Sequence, residues 1–108
     1  MVKQGDIIKI NFNPQAGHEQ AGYRPAVVVS NNLFNKITNL TFVCPITNTV
    51  SFFPLHVKLD ERTTTTGTIL CEHLKALDIN KRTYKIIEPL PKDILEQVID
   101  IIFAEIEN

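Results

Sequence analysis

Tryptophan is absent from this chain of 108 residues, and aromatic residues make up only 7% of it. A module that grips proline-rich peptides in an aromatic-lined groove has little to build with: Tyr23, Tyr84 and six phenylalanines. Cysteine is scarce as well. Cys44 and Cys71 stand 27 residues apart with no C-x-x-C spacing, which predicts two buried thiols rather than a bridge or a metal site. His18, His56 and His73 are too scattered for a zinc pattern, and His56 is expected to face solvent. No stretch approaches ~18 uninterrupted apolar residues, so no membrane-spanning helix is expected. Residues 1–12 carry Lys3, Gln4, Asp6 and Lys9 among short apolar pairs, unlike a secretory leader, and the expected location is cytoplasmic. A net charge of -1 with 44% hydrophobic residues excludes a disordered chain. The length suits one domain over 1–108.

Charge is unevenly spread. Five of the twelve acidic residues follow Lys92 and none of the eleven basic ones does, so residues 1–92 carry 11 basic against 7 acidic groups. A formal +4 on the body leaves room for a face that holds a phosphate backbone, with an acidic terminal segment pointing elsewhere. The alternative is that the acidic residues simply solvate a helix.

Most of the chain reads as short strands. Ile8, Ile10 and Phe12 alternate with Lys9 and Asn11. Ala26-Val27-Val28-Val29 suits a strand buried on both faces. Leu33-Phe34 suggests one helical turn, Leu40 to Ile46 another strand, and Leu55, Val57 and Leu59 a strand with one face inward. Asp60 to Gly67 reads as a polar turn whose four consecutive threonines form a flexible loop or a strand edge. Thr68 to Cys71 and Tyr84 to Ile87 add two strands. Pro91 suits the first position of a terminal helix, with Asp93 and Glu96 at its positive end. From Ile94 to Ile106 that helix carries eight large apolar residues in thirteen positions, more than one side of a small barrel needs. The surplus predicts a second subunit. The expected fold is mainly β, a small antiparallel barrel closed by a C-terminal helix.

The most unusual segment runs from Pro14 to Val28. His18, Glu19, Tyr23 and Arg24 fall within seven residues of it, and Pro25 restricts Arg24 to extended geometry. An arginine at the mouth of a buried strand can clamp a phosphate with its planar fork, although such residues also serve as surface ion pairs.

Gly5-Asp6, the run Gly17-x-Glu19-Gln20-Ala21-Gly22-x-Arg24-Pro25-Ala26-Val27-Val28, and Pro45-Ile46-Thr47 resemble the MazF/PemK toxins of bacterial type II toxin–antitoxin systems. The likeness covers nearly the whole chain. It implies an SH3-like barrel, a homodimer, and a sequence-specific endoribonuclease that cuts single-stranded RNA without metal or other cofactor. It also implies a cognate MazE-like antitoxin whose extended tail covers the RNA groove. The family's functional positions fall on Arg24 and Thr47, with Glu19 a candidate base or positioning group. His18 titrates in a suitable range but matches no fixed family position. Gln20, Tyr23, Asn48, Thr49 and Phe53, together with His18, are candidate substrate contacts: amides can read base edges and an exposed ring can stack on a base. Lys75, Lys81, Arg82 and Lys85 could touch phosphates, but read slightly better as a solvated turn. Two other functions share such a barrel, a non-catalytic SH3-like binding module and a CcdB-like gyrase poison. The second depends on a terminal tryptophan that this chain lacks.

Overall fold

A computed structural model describes residues 1–13, 17, 22–49 and 54–107. Its elements are β1 (Asp6–Asn11), β2 (Tyr23–Val28), α1 (Asn32–Thr38), β3 (Thr41–Thr47), β4 (His56–Lys58), β5 (Thr68–Leu70), β6 (Lys75–Leu77), β7 (Tyr84–Pro89) and α2 (Lys92–Ile106). Two 3-10 turns, Cys71–His73 and Ile79–Lys81, flank β6. The architecture is mainly β and wholly antiparallel, with neighbours in the order β4-β5-β3-β2-β1-β7, and β6 paired to β3. This is the small antiparallel barrel with a C-terminal helix that the sequence predicts, open between β4 and β7, which no ladder joins among the described residues.

The period-two alternation of the central strands is what splits the core in two. Ile7, Val27, Cys44 and Ile46 face one way and pack under Leu90, Ile94 and Val98. Ile8, Ile10, Phe12, Ala26, Val28 and Val43 face the other way and pack with Leu77 and Ile79. From Ala26 to Val29 side chains therefore leave the strand on both faces without meeting water, as that run predicts. Burying each of the valine, leucine, isoleucine and phenylalanine side chains in the two halves of the core contributes about 1.5–3 kcal/mol.

Pro45 lies inside β3 and is buried. It has no N–H to give to a ladder. The β2–β3 pairing stops at Ala26 and Pro45, and beyond it Ile46 and Thr47 pair with Ile69 and Thr68 of β5. Past Pro45, then, β3 is held by β5 and its ladder with β2 has ended.

Both helices follow local rules with two differences from expectation. The Leu33-Phe34 turn extends to seven residues, capped by Asn31, whose Oδ1 accepts the Phe34 N–H at 2.8 Å, and closed by Asn39 in the left-handed region. Pro91 caps α2 from outside instead of occupying its first turn. Ile94 and Val98 are buried, whereas Phe103 and Ile106 stay 59% and 73% exposed.

Two polar expectations change. The threonine turn is not loose: Glu88 of β7 accepts from the backbone N–H and the hydroxyl of both Thr64 and Thr65, at 2.7–3.0 Å. Its partner lies more than twenty residues along the chain, beyond the reach of any local pattern. His56 does not face solvent; its ring is 11% exposed and its Nε2 lies 2.8 Å from Glu72. The pleat puts it beside the Cys71–His73 turn, which folds over that strand. β6 went unpredicted because Lys75-Ala76-Leu77 is too short to show a period. The two cysteines are free and buried as expected. Burial pushes the Cys71 thiol up to about 12, with Glu105 and Glu72 adding repulsion, and pushes Cys44 higher still.

Candidate active site

Arg24 and Thr47 each lie two residues beyond the last β2–β3 pair, Ala26 with Pro45. Strand alternation places both on the face of Ala26, Val28 and Val43. They thus flank the point where the two strands part. Arg24 is exposed and pairs across β1 with Ile10, which is fully buried.

Thr47 is only 4% exposed. Its Oγ1 accepts the Thr49 N–H at 3.2 Å and lies 3.0 Å from the Thr49 hydroxyl, so Thr47-Asn48-Thr49 folds back on itself in a side-chain-closed turn. Asn48 reaches across to Thr66, its Nδ2 donating to the hydroxyl at 3.3 Å. Asn48 and Thr49 are both exposed. Next to Thr66, Gly67 adopts φ +123, and a Cβ on it would come 2.7 Å from the Thr47 carbonyl oxygen. Only glycine fits this approach. Sequence reasoning missed Gly67, although a glycine ending a threonine run was its available signal.

Tyr23 sits on the opposite face from Arg24. It is 45% exposed, with the Lys9 ammonium 5.3 Å from its ring centre. Lys9 pairs with Lys85 of β7, so a basic and aromatic strip runs over this second face. Tyr23 and Arg24 therefore share an end of the strand but not a face. His18, Glu19, Gln20 and Phe53 lie outside the described residues.

The root of the motif segment is tightly bonded. Phe12 N–H donates to the Gly22 carbonyl at 2.8 Å, and Gly22 N–H to Asn13 Oδ1 at 2.9 Å. Arg82, read above as part of a solvated turn, is half-buried there, and its Nη1 donates to the carbonyls of Asn11 and Asn13. Further off, Arg62 bonds both Asp60 and Asp93, and its hydrogen bonds hold the two carboxyls below their usual range. Among the described residues, no group of three or more His, Cys, Asp or Glu side chains could hold a metal ion. No helix there is long and apolar enough to cross a membrane.

Set against known proteins, this arrangement has clear relatives. A family described as "PemK-like, MazF-like toxin of type II toxin-antitoxin system" matches residues 3–103. Endoribonuclease PemK of Escherichia coli is 33% identical over 102 residues, 91% of this chain and 77% of its own. The endoribonuclease toxin ChpB of Escherichia coli (strain K12) is 32% identical over 113 residues, covering 97% of this chain and 94% of its own. The crystal structure of MazF from Deinococcus radiodurans superposes with a TM-score of 0.90 at 34% identity, over 96% of this chain and 94% of that one. In a MazE–MazF complex from the same organism, the matching chain gives a TM-score of 0.83 at 34% identity, with the same coverage. From its first strand to its terminal helix, the chain belongs to the PemK-like and MazF-like toxins.

Proposed function

We propose that this chain is an endoribonuclease toxin that cleaves single-stranded RNA at a short sequence, without metal. Its relatives carry the name endoribonuclease, and the observation that carries the chemistry is the position of Arg24 and Thr47 where β2 and β3 diverge. An exposed cation and a preorganised hydroxyl at one opening suit an anionic phosphodiester.

The reaction uses the RNA's own nucleophile. A base takes the 2′-hydroxyl proton, the 2′-oxygen bonds to phosphorus, and the P–O5′ bond breaks as the leaving oxygen gains a proton. The products are a 2′,3′-cyclic phosphate and a 5′-hydroxyl. DNA, lacking the 2′-hydroxyl, is left intact. Charge gathers on the equatorial phosphoryl oxygens in the transition state. Arg24 offers them a planar, permanently charged donor set, and the Thr47 hydroxyl, 3.0 Å from that of Thr49, donates its proton to a phosphoryl oxygen. Glu19 is our candidate for the base. Asn48 and Thr49, on the exposed side of the Thr47 turn, contact bases together with His18, Gln20 and Phe53, and Tyr23 stacks at the rim.

The active species is a homodimer, which the exposed Phe103 and Ile106 of α2 support. They border an apolar groove of about 290 Å³ between α1 and α2, also lined by Phe34, Phe42 and Ile99. In the cytoplasm a MazE-like antitoxin restrains the toxin, by analogy with the MazE–MazF complexes of Deinococcus radiodurans.

Purified protein incubated with single-stranded RNA tests this reading. Expected are fragments with 5′-hydroxyl ends, unchanged by EDTA, and their loss in Arg24→Ala at an unchanged melting temperature. Intact RNA with wild-type protein, or Arg24→Ala as active as the parent, overturns it. Inhibited supercoiling with RNA left whole would point to the gyrase-poison alternative.

A further inference from the structure

Arg82 stands between the Ile79–Lys81 turn and β7, about seventy residues along the chain from the groups it bonds. Its Nη1 donates to the Asn11 carbonyl at 2.9 Å and the Asn13 carbonyl at 2.8 Å. Both protons of that nitrogen are thus committed to backbone. The ladder between β1 and β7 ends at Ile10 and Tyr84, leaving these carbonyls past its reach. A charged donor supplies what the sheet cannot, with bonds roughly twice as strong as neutral ones.

The two residues whose carbonyls it bonds are tied further, Asn13 across the neck to Gly22 and Asn11 to Asn13 and to the Thr83 backbone. Asn13 Oδ1 holds the Gly22 N–H, Asn11 Oδ1 accepts the Asn13 N–H at 3.0 Å, and Asn11 N–H donates to the Thr83 carbonyl at 3.1 Å. Gly22, at φ +79, turns the chain into β2 two residues before Arg24. Arg82 therefore closes a ring of bonds around the entrance to the strand that bears the phosphate-binding cation.

We propose that Arg82 is a positioning residue: its guanidinium clasps the neck between β1 and β2 and thereby holds Arg24 where the phosphodiester must sit. This rests on the ribonuclease reading above. Without the clasp, Arg24 wanders by a fraction of an ångström or more while the two cores stay packed. Misplacement on that scale costs about 10- to 100-fold in rate.

The test compares wild type, Arg82→Ala, Arg82→Lys and Asn13→Ala in steady-state cleavage of one single-stranded RNA. A copy of that RNA with a 2′-deoxy nucleotide at the mapped scissile position reports binding across a salt series. Expected in Arg82→Ala are kcat lower by about 10- to 100-fold and KM within about threefold. Partial recovery is expected in Arg82→Lys, a loss of the same sign in Asn13→Ala, and an unchanged salt slope. Wild-type kcat in Arg82→Ala overturns the proposal. So does a salt slope smaller by about one, which means that Arg82 touches a phosphate itself. Should Arg82→Ala fail to fold, Asn13→Ala decides, and wild-type kcat there is fatal. Hydrogen exchange of the Gly22 amide reads the clasp without any RNA. It must quicken in Arg82→Ala (or in Asn13→Ala, should the former not fold) even if the wild type cuts no RNA, and unchanged exchange overturns the clasp.

Discussion

Gly67 lies so close to Thr47 that a single added carbon would stand 2.7 Å from the Thr47 carbonyl oxygen. The atom in the way is backbone, so it cannot swing aside, and φ +123 already excludes ordinary side chains. The two residues are joined through neighbouring pairs of the β3–β5 ladder, in which Thr47 faces Thr68. Gly67→Ala must push the Thr47 turn outward. We expect a loss of roughly 1–3 kcal/mol in stability and a larger fractional loss of RNA cleavage. Thermal unfolding and cleavage assays on the same preparation check this.

Thr47 separates hydroxyl chemistry from packing. Thr47→Val keeps the shape and removes the donor, and cleavage should fall by about 10²–10³, equivalent to about 3–4 kcal/mol. Thr47→Ser keeps the hydroxyl and should retain most activity. Equal rates for all three proteins would remove Thr47 from the chemistry.

Glu88 makes stability depend on acid. Partial burial opposes its ionisation, but the hydrogen bonds from Thr65 and Thr64 outweigh that and hold the carboxyl at about 2, below the ordinary 4.5. Its contribution is therefore complete above pH 4.5 and vanishes as pH falls through about 2. Glu88→Gln should cost roughly 1–3 kcal/mol near neutrality, about 4–8 °C in melting temperature per kcal/mol. The gap between the two proteins should close on acidification across that window. Asp60 and Asp93 share the direction of shift, so the comparison with the variant isolates Glu88.

The cysteines offer a probe of opening. With Cys71 pushed up to about 12 and Cys44 higher, neither forms thiolate near pH 8, and both are buried. An aromatic disulfide reagent should find no reactive thiol in the native protein and two after denaturation. Rapid labelling of the folded protein would show that the β3 core is open.

Local order was readable wherever it depended on neighbours in the chain. The alternation of Ile8, Ile10 and Phe12, the doubly buried Ala26–Val29 strand and the helical spacing after Pro91 each encode an element through contacts a few residues apart. The Glu19-to-Val28 run and Pro45-Ile46-Thr47 were enough to suggest the family and to single out Arg24 and Thr47. What could not be read depended on segments meeting from far apart. Glu88 closing the threonine turn, Glu72 drawing His56 inward, Gly67 making room for a carbonyl and Arg82 clasping the Asn13 neck all need the sheet bent first. A periodic pattern records which face of a strand is dry. Which polar group crosses that face to bond another is settled only by register and curvature, because a hydrogen bond demands partners within about 3 Å, wherever they lie in the chain.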